Sequence, residues 1–169
     1  KAVQAITHSF QEISSIDVEQ ASFVLDQQSK VIGVLIDDLL NSILESNEIL
    51  TVLTDAYMYD EYLYQHSFQV TLYSLAIAKE LGYSYEDLRV IGIGAMLHDV
   101  GKMLIPKEIL MKPGRLTDEE FEEVKMHTTY GFDILRNLHS VSLIVAHCAF
   151  QHHERLDGSG YPQGSSAVT

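Results

Sequence analysis

Apolar residues recur along this chain at intervals of three and four, the spacing that puts side chains on one face of an α-helix. Val3, Ile6, Phe10 and Ile13 predict a short amphipathic helix that Ser14-Ser15 interrupts. Ile32, Leu35, Leu39 and Ile43 form the inner face of a longer helix, with Asp37, Asp38 and Glu45 off that face. Ser46-Asn47 predicts the cap of a short segment from Glu48 to Leu53. The next stripe is Leu63, His66, Val70, Tyr73 and Ile77, and Gly82 closes it as a C′ residue. Ser84, with Asp87 three positions on, opens a helix whose face is Leu88, Ile91, Ala95 and His98. Lys112-Pro113-Gly114-Arg115 reads as a type II turn. Thr117 and Glu120 predict a capping box for one helix presenting Val124, His127, Gly131 and Ile134. Val141, Val145, Cys148 and His152 mark the last helix. With no strand-like alternation, internal repeat or low-complexity stretch, the predicted fold is all-α. A soft boundary between residues 46 and 56 divides an N-terminal helical region, 1–54, from a histidine-bearing domain, 55–169.

Composition narrows the choice of function. The 169 residues suffice for one core, or for one core with a helical appendage. No apolar run reaches the roughly 18 to 20 residues of a membrane span. Lys1-Ala2-Val3-Gln4 does not read as a signal peptide, and the expectation is a chain that begins inside a longer protein. The lone Cys148 excludes an internal disulfide framework and suits a reducing cytoplasm, the expected location. A net charge of −13 argues against a nucleic-acid polymer as partner, but not against a small phosphate ligand held by metal ions.

Histidine is the compositional oddity: there are eight, six of them in the second half. His66, His98, His127 and His152 lie on or beside the apolar stripes of four predicted helices, with Asp99 next to His98 and His153 next to His152. One histidine on an apolar face is ordinarily a core residue with a satisfied hydrogen bond. Burying four without partners would cost on the order of several kcal/mol in desolvation. A metal centre removes the conflict, because neutral imidazole is the commonest protein metal ligand. Mixed imidazole and carboxylate donors suit Fe, Mn or Zn better than Ca or Mg. Six candidate ligands exceed what one catalytic ion takes, so two ions bridged by Asp99 is the simpler count, and two-metal sites are typical of phosphodiester hydrolysis. The run LHDVGK, Leu97 to Lys102, ends a helix in a His-Asp pair, bends at Gly101 and presents Lys102 as a point charge for a phosphate oxygen.

Three stretches together carry a resemblance: QHSFQV (Gln65 to Val70), LHDVGKMLIPKEILMKPGRLTDEEFEEVKMH (Leu97 to His127) and HHERLDGSGYP (His152 to Pro162). From about Asp55 to Gly164 the chain resembles the HD-GYP subgroup of the HD phosphohydrolase superfamily, bacterial phosphodiesterases that degrade cyclic di-GMP. The resemblance implies an HD-domain helical bundle with an N-terminal helical extension. It implies metal ligands at His66, His98, Asp99, His127, His152 and His153, holding two divalent transition-metal ions, Fe or Mn. It further implies catalytic roles for Asp99 and Lys102, the lysine meeting the scissile phosphate, and a loop of Gly160, Tyr161 and Pro162 beside the substrate groove. The cyclic dinucleotide would be hydrolysed to pGpG and then GMP. Some members bind a third metal through a glutamate at the position of Tyr62, and Glu61 lies one step off that face, which favours two ions here.

The family pattern continues with another aspartate ligand and basic residues after the GYP loop, whereas this sequence runs into QGSSAVT and ends at Thr169. The expectation is therefore a C-terminally truncated domain with an incomplete site. The rival function is a catalytically impaired fragment that binds a nucleotide or protein without turnover. An HD hydrolase acting on another phosphate ester is disfavoured by the complete GYP stretch. Arg115, beside the Pro-Gly turn, is a candidate contact to a ligand phosphate. Glu154 has two readings, orienting a ligand histidine or solvating a helix end, and Asp157-Gly158 is a turn. His8, His139 and His147 match no motif position and read as ordinary histidines. Cys148 reads as a core residue, and the acidic run Asp118 to Glu123 as a solvated helix start. The N-terminal helices either join a homodimer or a signalling partner domain, or pack on the flank of the histidine domain.

Overall fold

The computed structural model describes residues 17–45, 62–138 and 141–166. The helix expected at Val3 to Ile13, the segment Glu48 to Leu53, the boundary at 46–56, and His8, Glu61 and His139 lie outside them. The described chain forms α1 (Val18–Glu45), α2 (Tyr62–Glu80), α3 (Tyr85–Leu97), a 3-10 turn (Val100–Leu104), α4 (Lys107–Leu110), α5 (Asp118–Lys125), α6 (His127–Leu135) and α7 (Leu143–Gln151). Among these residues no strand forms; an isolated antiparallel bridge joins Asp157 to Ser166. No described helix is long and apolar enough to cross a membrane.

Short-range chemistry sets most helix ends. The Asp17 carboxylate accepts from the Gln20 amide at 2.9 Å and starts α1. The Ser84 hydroxyl oxygen accepts from the Asp87 amide at 3.2 Å and starts α3. Thr117 and Glu120 form the reciprocal capping box of α5, at 3.2 and 2.7 Å. Helix α2 ends as predicted. Gly82 takes φ +78°, its amide reaches the Lys79 carbonyl at 2.9 Å, and the Tyr83 amide reaches Ala78 at 3.2 Å. Gly114 also takes a positive φ, as a Pro-Gly turn of the predicted type requires.

One hydrophobic cluster runs through the molecule. Leu25, Ile36 and Leu40 of α1 join Leu72 and Leu75 of α2, Met96 and Leu97 of α3, Ile134 of α6 and Val145 of α7. Helix α1 therefore takes the flank-packing reading. The Ser22 hydroxyl lies 2.8 Å from the Val18 carbonyl and 3.0 Å from that of Ile134 on α6. Asp37 accepts from Arg89 of α3 at 2.9 Å and from the Tyr85 hydroxyl at 3.3 Å.

Two expectations are corrected. The inner face of α2 is Ser67, Thr71, Leu72, Leu75 and Ala78, while Tyr73 and Ile77 are 54% and 62% exposed. Apolar residues surround this helix, so periodicity alone does not select a face. Thr71 can face inward because its hydroxyl donates to the Ser67 carbonyl at 2.7 Å. The single helix predicted after Thr117 is two, α5 and α6, broken at Met126. At the break His127 Nδ1 lies 2.6 Å from the Val124 carbonyl, and the Thr128 hydroxyl donates to Lys125 at 2.9 Å.

Candidate metal centre

The site is built around the end of α3. His98 is the C-cap of that helix, and Asp99 has left helical geometry at φ −99°, ψ 8°. The chain then drops into the 3-10 turn, whose Gly101 is pressed on the start of α6. A Cβ at Gly101 would overlap the His127 carbonyl oxygen and lie 2.5 Å from the Gly131 amide nitrogen. This backbone approach, possible only without a side chain, brings Asp99 beside His127.

The two oxygens of Asp99 serve different neighbours. Oδ2 lies 3.2 Å from His98 Nε2, 3.6 Å from His66 Nε2 and 2.6 Å from Lys102 Nζ. Oδ1 lies 3.5 Å from both His127 Nε2 and His152 Nε2. The side chain of Asp99 is only 5% exposed, and Oδ1 has no hydrogen-bond partner among the described residues. His66, His98 and Asp99 form one group, and Asp99, His127, His152 and His153 another; within each, the candidate ligand atoms lie within 4.8 Å of one another. His66, at 47% exposure, opens the first group to solvent, while His127 is buried deep in the second.

Hydrogen bonds orient three of the rings. Nδ1 of His98, His127 and His152 lies 2.7, 2.6 and 2.9 Å from the carbonyls of Ala95, Val124 and Ala149, each three residues earlier. A neutral ring that donates from Nδ1 turns the lone pair of Nε2 inward; the tautomer is assigned from these partners. His127 Nε2 and His152 Nε2 then face each other at 3.2 Å, with Asp99 Oδ1 3.5 Å from each. A buried convergence of acceptors with an orphaned carboxylate oxygen fits a cation, and the imidazole and carboxylate donor set suits a divalent transition metal.

The protonation states agree with ligand duty. Burial pushes His127 down to about 4. Burial, then repulsion from His152 and His127, takes His153 to about 4. His66 is lowered too, chiefly by burial. Burial opposes the charge on Asp99, yet the Lys102 ammonium 2.6 Å away favours it, and the carboxyl is held well below its usual range.

The glycine-rich stretch folds back on the second group. Tyr161 stacks on His153 with ring centroids 4.6 Å apart and planes 19° apart, and its amide donates to the His153 carbonyl at 3.2 Å. Gly160 lies where a Cβ would be 2.5 Å from the same carbonyl oxygen, and Pro162 is exposed after a cis peptide bond. Burial, then the charge of Asp99, raises the Tyr161 phenol to about 12. Glu154 does neither of the two things expected of it. Its carboxylate accepts from the Gln163 amide at 2.6 Å and the Ser165 amide at 2.9 Å, and so clamps the loop. Asp157 turns the chain by accepting from the Ser159 amide at 3.0 Å.

The structure thus gathers His66, His98, Asp99, Lys102, His127, His152 and His153 at one place, with Tyr161 against it. Arg115 is exposed, and no hydrogen bond or ion pair ties it to this cluster. His147 is exposed against Phe132, with ring centroids 5.3 Å apart. Cys148 is half-buried, and burial raises its thiol pKa. Sequence reasoning passed over Phe121 and Lys125. The Lys125 ammonium lies 4.9 Å from the Phe121 ring centroid and 5.7 Å from that of Tyr161. Their spacing of four is a faint signal inside an acidic helix.

An all-α bundle that gathers imidazoles from several helices around the carboxylate of a His-Asp pair has the architecture of an HD domain. The chain belongs to the HD domain family, whose sequence model matches residues 51–169. It is 40% identical over 130 residues to a cyclic di-GMP phosphodiesterase of Pseudomonas aeruginosa, covering 77% of this chain and 31% of that protein. It is 39% identical over 160 residues to a cyclic di-GMP phosphodiesterase of Thermotoga maritima, covering 94% of this chain and 42% of that one. A third relative, 3'3'-cGAMP-specific phosphodiesterase 1 of Vibrio cholerae, is 39% identical over 104 residues, 62% of this chain and 24% of its own length. The chain spans about a quarter to two fifths of the length of these relatives.

Proposed function

We propose that the protein carrying this chain is a metal-dependent phosphodiesterase that hydrolyses cyclic di-GMP to pGpG and then GMP in bacterial second-messenger signalling. The observation that carries the proposal is the division of Asp99, one oxygen toward His66 and His98 and the other toward His127 and His152. Asp99 would bridge two divalent ions, Fe or Mn, with His66 and His98 holding one and His127, His152 and His153 the other. Such ions supply Lewis acidity and a bound water acidic enough to yield hydroxide near neutral pH. Lys102, partly exposed at the Asp99 rim, would meet a phosphate oxygen as a point charge. The open side at His66 would admit the substrate, while His127 closes the opposite side as a buried ring. Cyclic di-GMP is preferred among cyclic dinucleotides because the relatives matched over 77% and 94% of this chain are named for it. Arg115 and the exposed Pro162 remain candidates for substrate contact, and the lone cysteine is in keeping with a cytoplasmic location.

The test uses the whole protein loaded with Mn or Fe. Cyclic di-GMP should be converted to pGpG and GMP, followed by chromatography beside 3'3'-cGAMP as competitor substrate. Asp99→Ala should remove bound metal and activity and leave far-UV circular dichroism nearly unchanged. Retained metal in that variant, or no turnover by the metal-replete protein, would overturn the assignment.

A further inference from the structure

The ligand-type histidines are not all held alike. His98, His127 and His152 each have Nδ1 anchored to the carbonyl three residues earlier. Among the described residues His153 has no hydrogen bond to either ring nitrogen, although its ring belongs to the group formed with Asp99, His127 and His152. A ligand ring without such an anchor needs another constraint, because metal affinity depends on the partners that fix ring orientation. Here the constraint is aromatic. Tyr161 lies nearly parallel to His153 at 4.6 Å, and the Tyr161 ring itself is backed by α5. Phe121 meets it edge-to-face at 6.3 Å, and the Lys125 ammonium is 5.7 Å from its centroid and 4.9 Å from that of Phe121. Lys125 is in turn tethered to Glu122 at 2.5 Å.

We propose that Phe121 and Lys125 are positioning residues that act through Tyr161 to orient His153 as a metal ligand. This rests on the two-ion reading given above, but the ring contact does not. It also gives the exposed Phe121 a task that solvation of an acidic helix does not explain. The pair acts from the opposite end of the motif region: α5 precedes His127, whereas Tyr161 follows His153 by eight positions.

Two measurements on the whole chain separate the layers. In chelator-treated protein, nuclear Overhauser contacts between the His153 and Tyr161 rings should be present in wild type and in Tyr161→Phe, and should be lost or strongly weakened in Phe121→Ala. Unchanged contacts in Phe121→Ala would overturn the positioning role. In Mn titrations, Phe121→Ala and Tyr161→Ala should weaken one of two ions by about 10-fold while the other binds as before, and Tyr161→Phe should bind both like wild type. Equal affinity for both ions in Phe121→Ala and wild type would also overturn the proposal. A wild type that binds no Mn or Fe, but still shows the Phe121-dependent ring contact, would refute the metal assignment and leave the ring array standing. Circular dichroism on each variant identifies any loss that stems from unfolding.

Discussion

Asp99 concentrates the unusual physics of this protein. A buried acceptor without a partner costs about 1–3 kcal/mol, and Oδ1 of Asp99 is such an atom. The surrounding imidazoles do not relieve it, because their Nδ1 donors are spent on backbone carbonyls and their Nε2 atoms face inward as acceptors. A cation relieves both at once. The same rings make stability depend on pH. His127 titrates near 6.5 when unfolded and near 4 when folded, so between those values the unfolded chain holds more protons and acidification favours unfolding. His153 acts in the same direction. Asp99, whose folded carboxyl is held low, contributes stability above the unfolded carboxylate range that is lost only at more acid pH. The chelator-treated chain should therefore lose stability as pH falls from about 6.5 toward 4, with His127 supplying at most about 3 kcal/mol. Urea midpoints across that range measure it, and a flat profile would contradict the burial of neutral His127.

Between neighbouring elements, the decisive contact is the 3-10 turn on α6. Gly101 has backbone on the side where a Cβ would go, including the carbonyl of His127 itself. Gly101→Ala should cost about 3 kcal/mol, the upper end for overpacking, because backbone yields less readily than a side chain. It should also part Asp99 from His127 and weaken metal binding; urea unfolding and a Mn titration read the two effects. This contact shows what sequence made legible and what it did not. Gly101 was recognisable as a bend inside LHDVGK, but its partner Gly131 looked like one more position on a helix face. The caps at Ser84 and Thr117 and the C′ Gly82 were readable because they depend on groups within five residues. The face of α2 was not, since an all-round apolar helix takes its orientation from whatever packs on it.

Among the described residues the bundle shares one core, and α1 is inside it. Ile36 of α1 is fully buried, and its Cγ2 would stand 2.9 Å from a Cβ at Gly92 of α3, so the two helices approach through a residue that has no side chain. Ile36→Ala should destabilise the molecule by about 2–5 kcal/mol and lower the midpoint of a single unfolding transition. A variant in which α1 melts early while the histidine region unfolds at the wild-type midpoint would show that the helix is an appendage after all. The Asp37–Arg89 pair and the Ser22 contact with α6 join α1 to the two helices whose ends carry His98 and His127.

The all-α class, the helix boundaries set by caps, and the residue types able to hold cations were already present in the order of amino acids. Each depends on spacing along the chain or on the intrinsic chemistry of imidazole and carboxylate. Other features required the packed chain: the outward turn of Tyr73 and Ile77, the break at Met126, the clamp made by Glu154, and the backing of Tyr161 by Phe121 and Lys125. These are contacts between positions whose separation in sequence carries no information about distance. Even the division of Asp99 between two sets of rings, which motif counting anticipated as a bridge, becomes a geometry only when Gly101 lets one backbone lie against another.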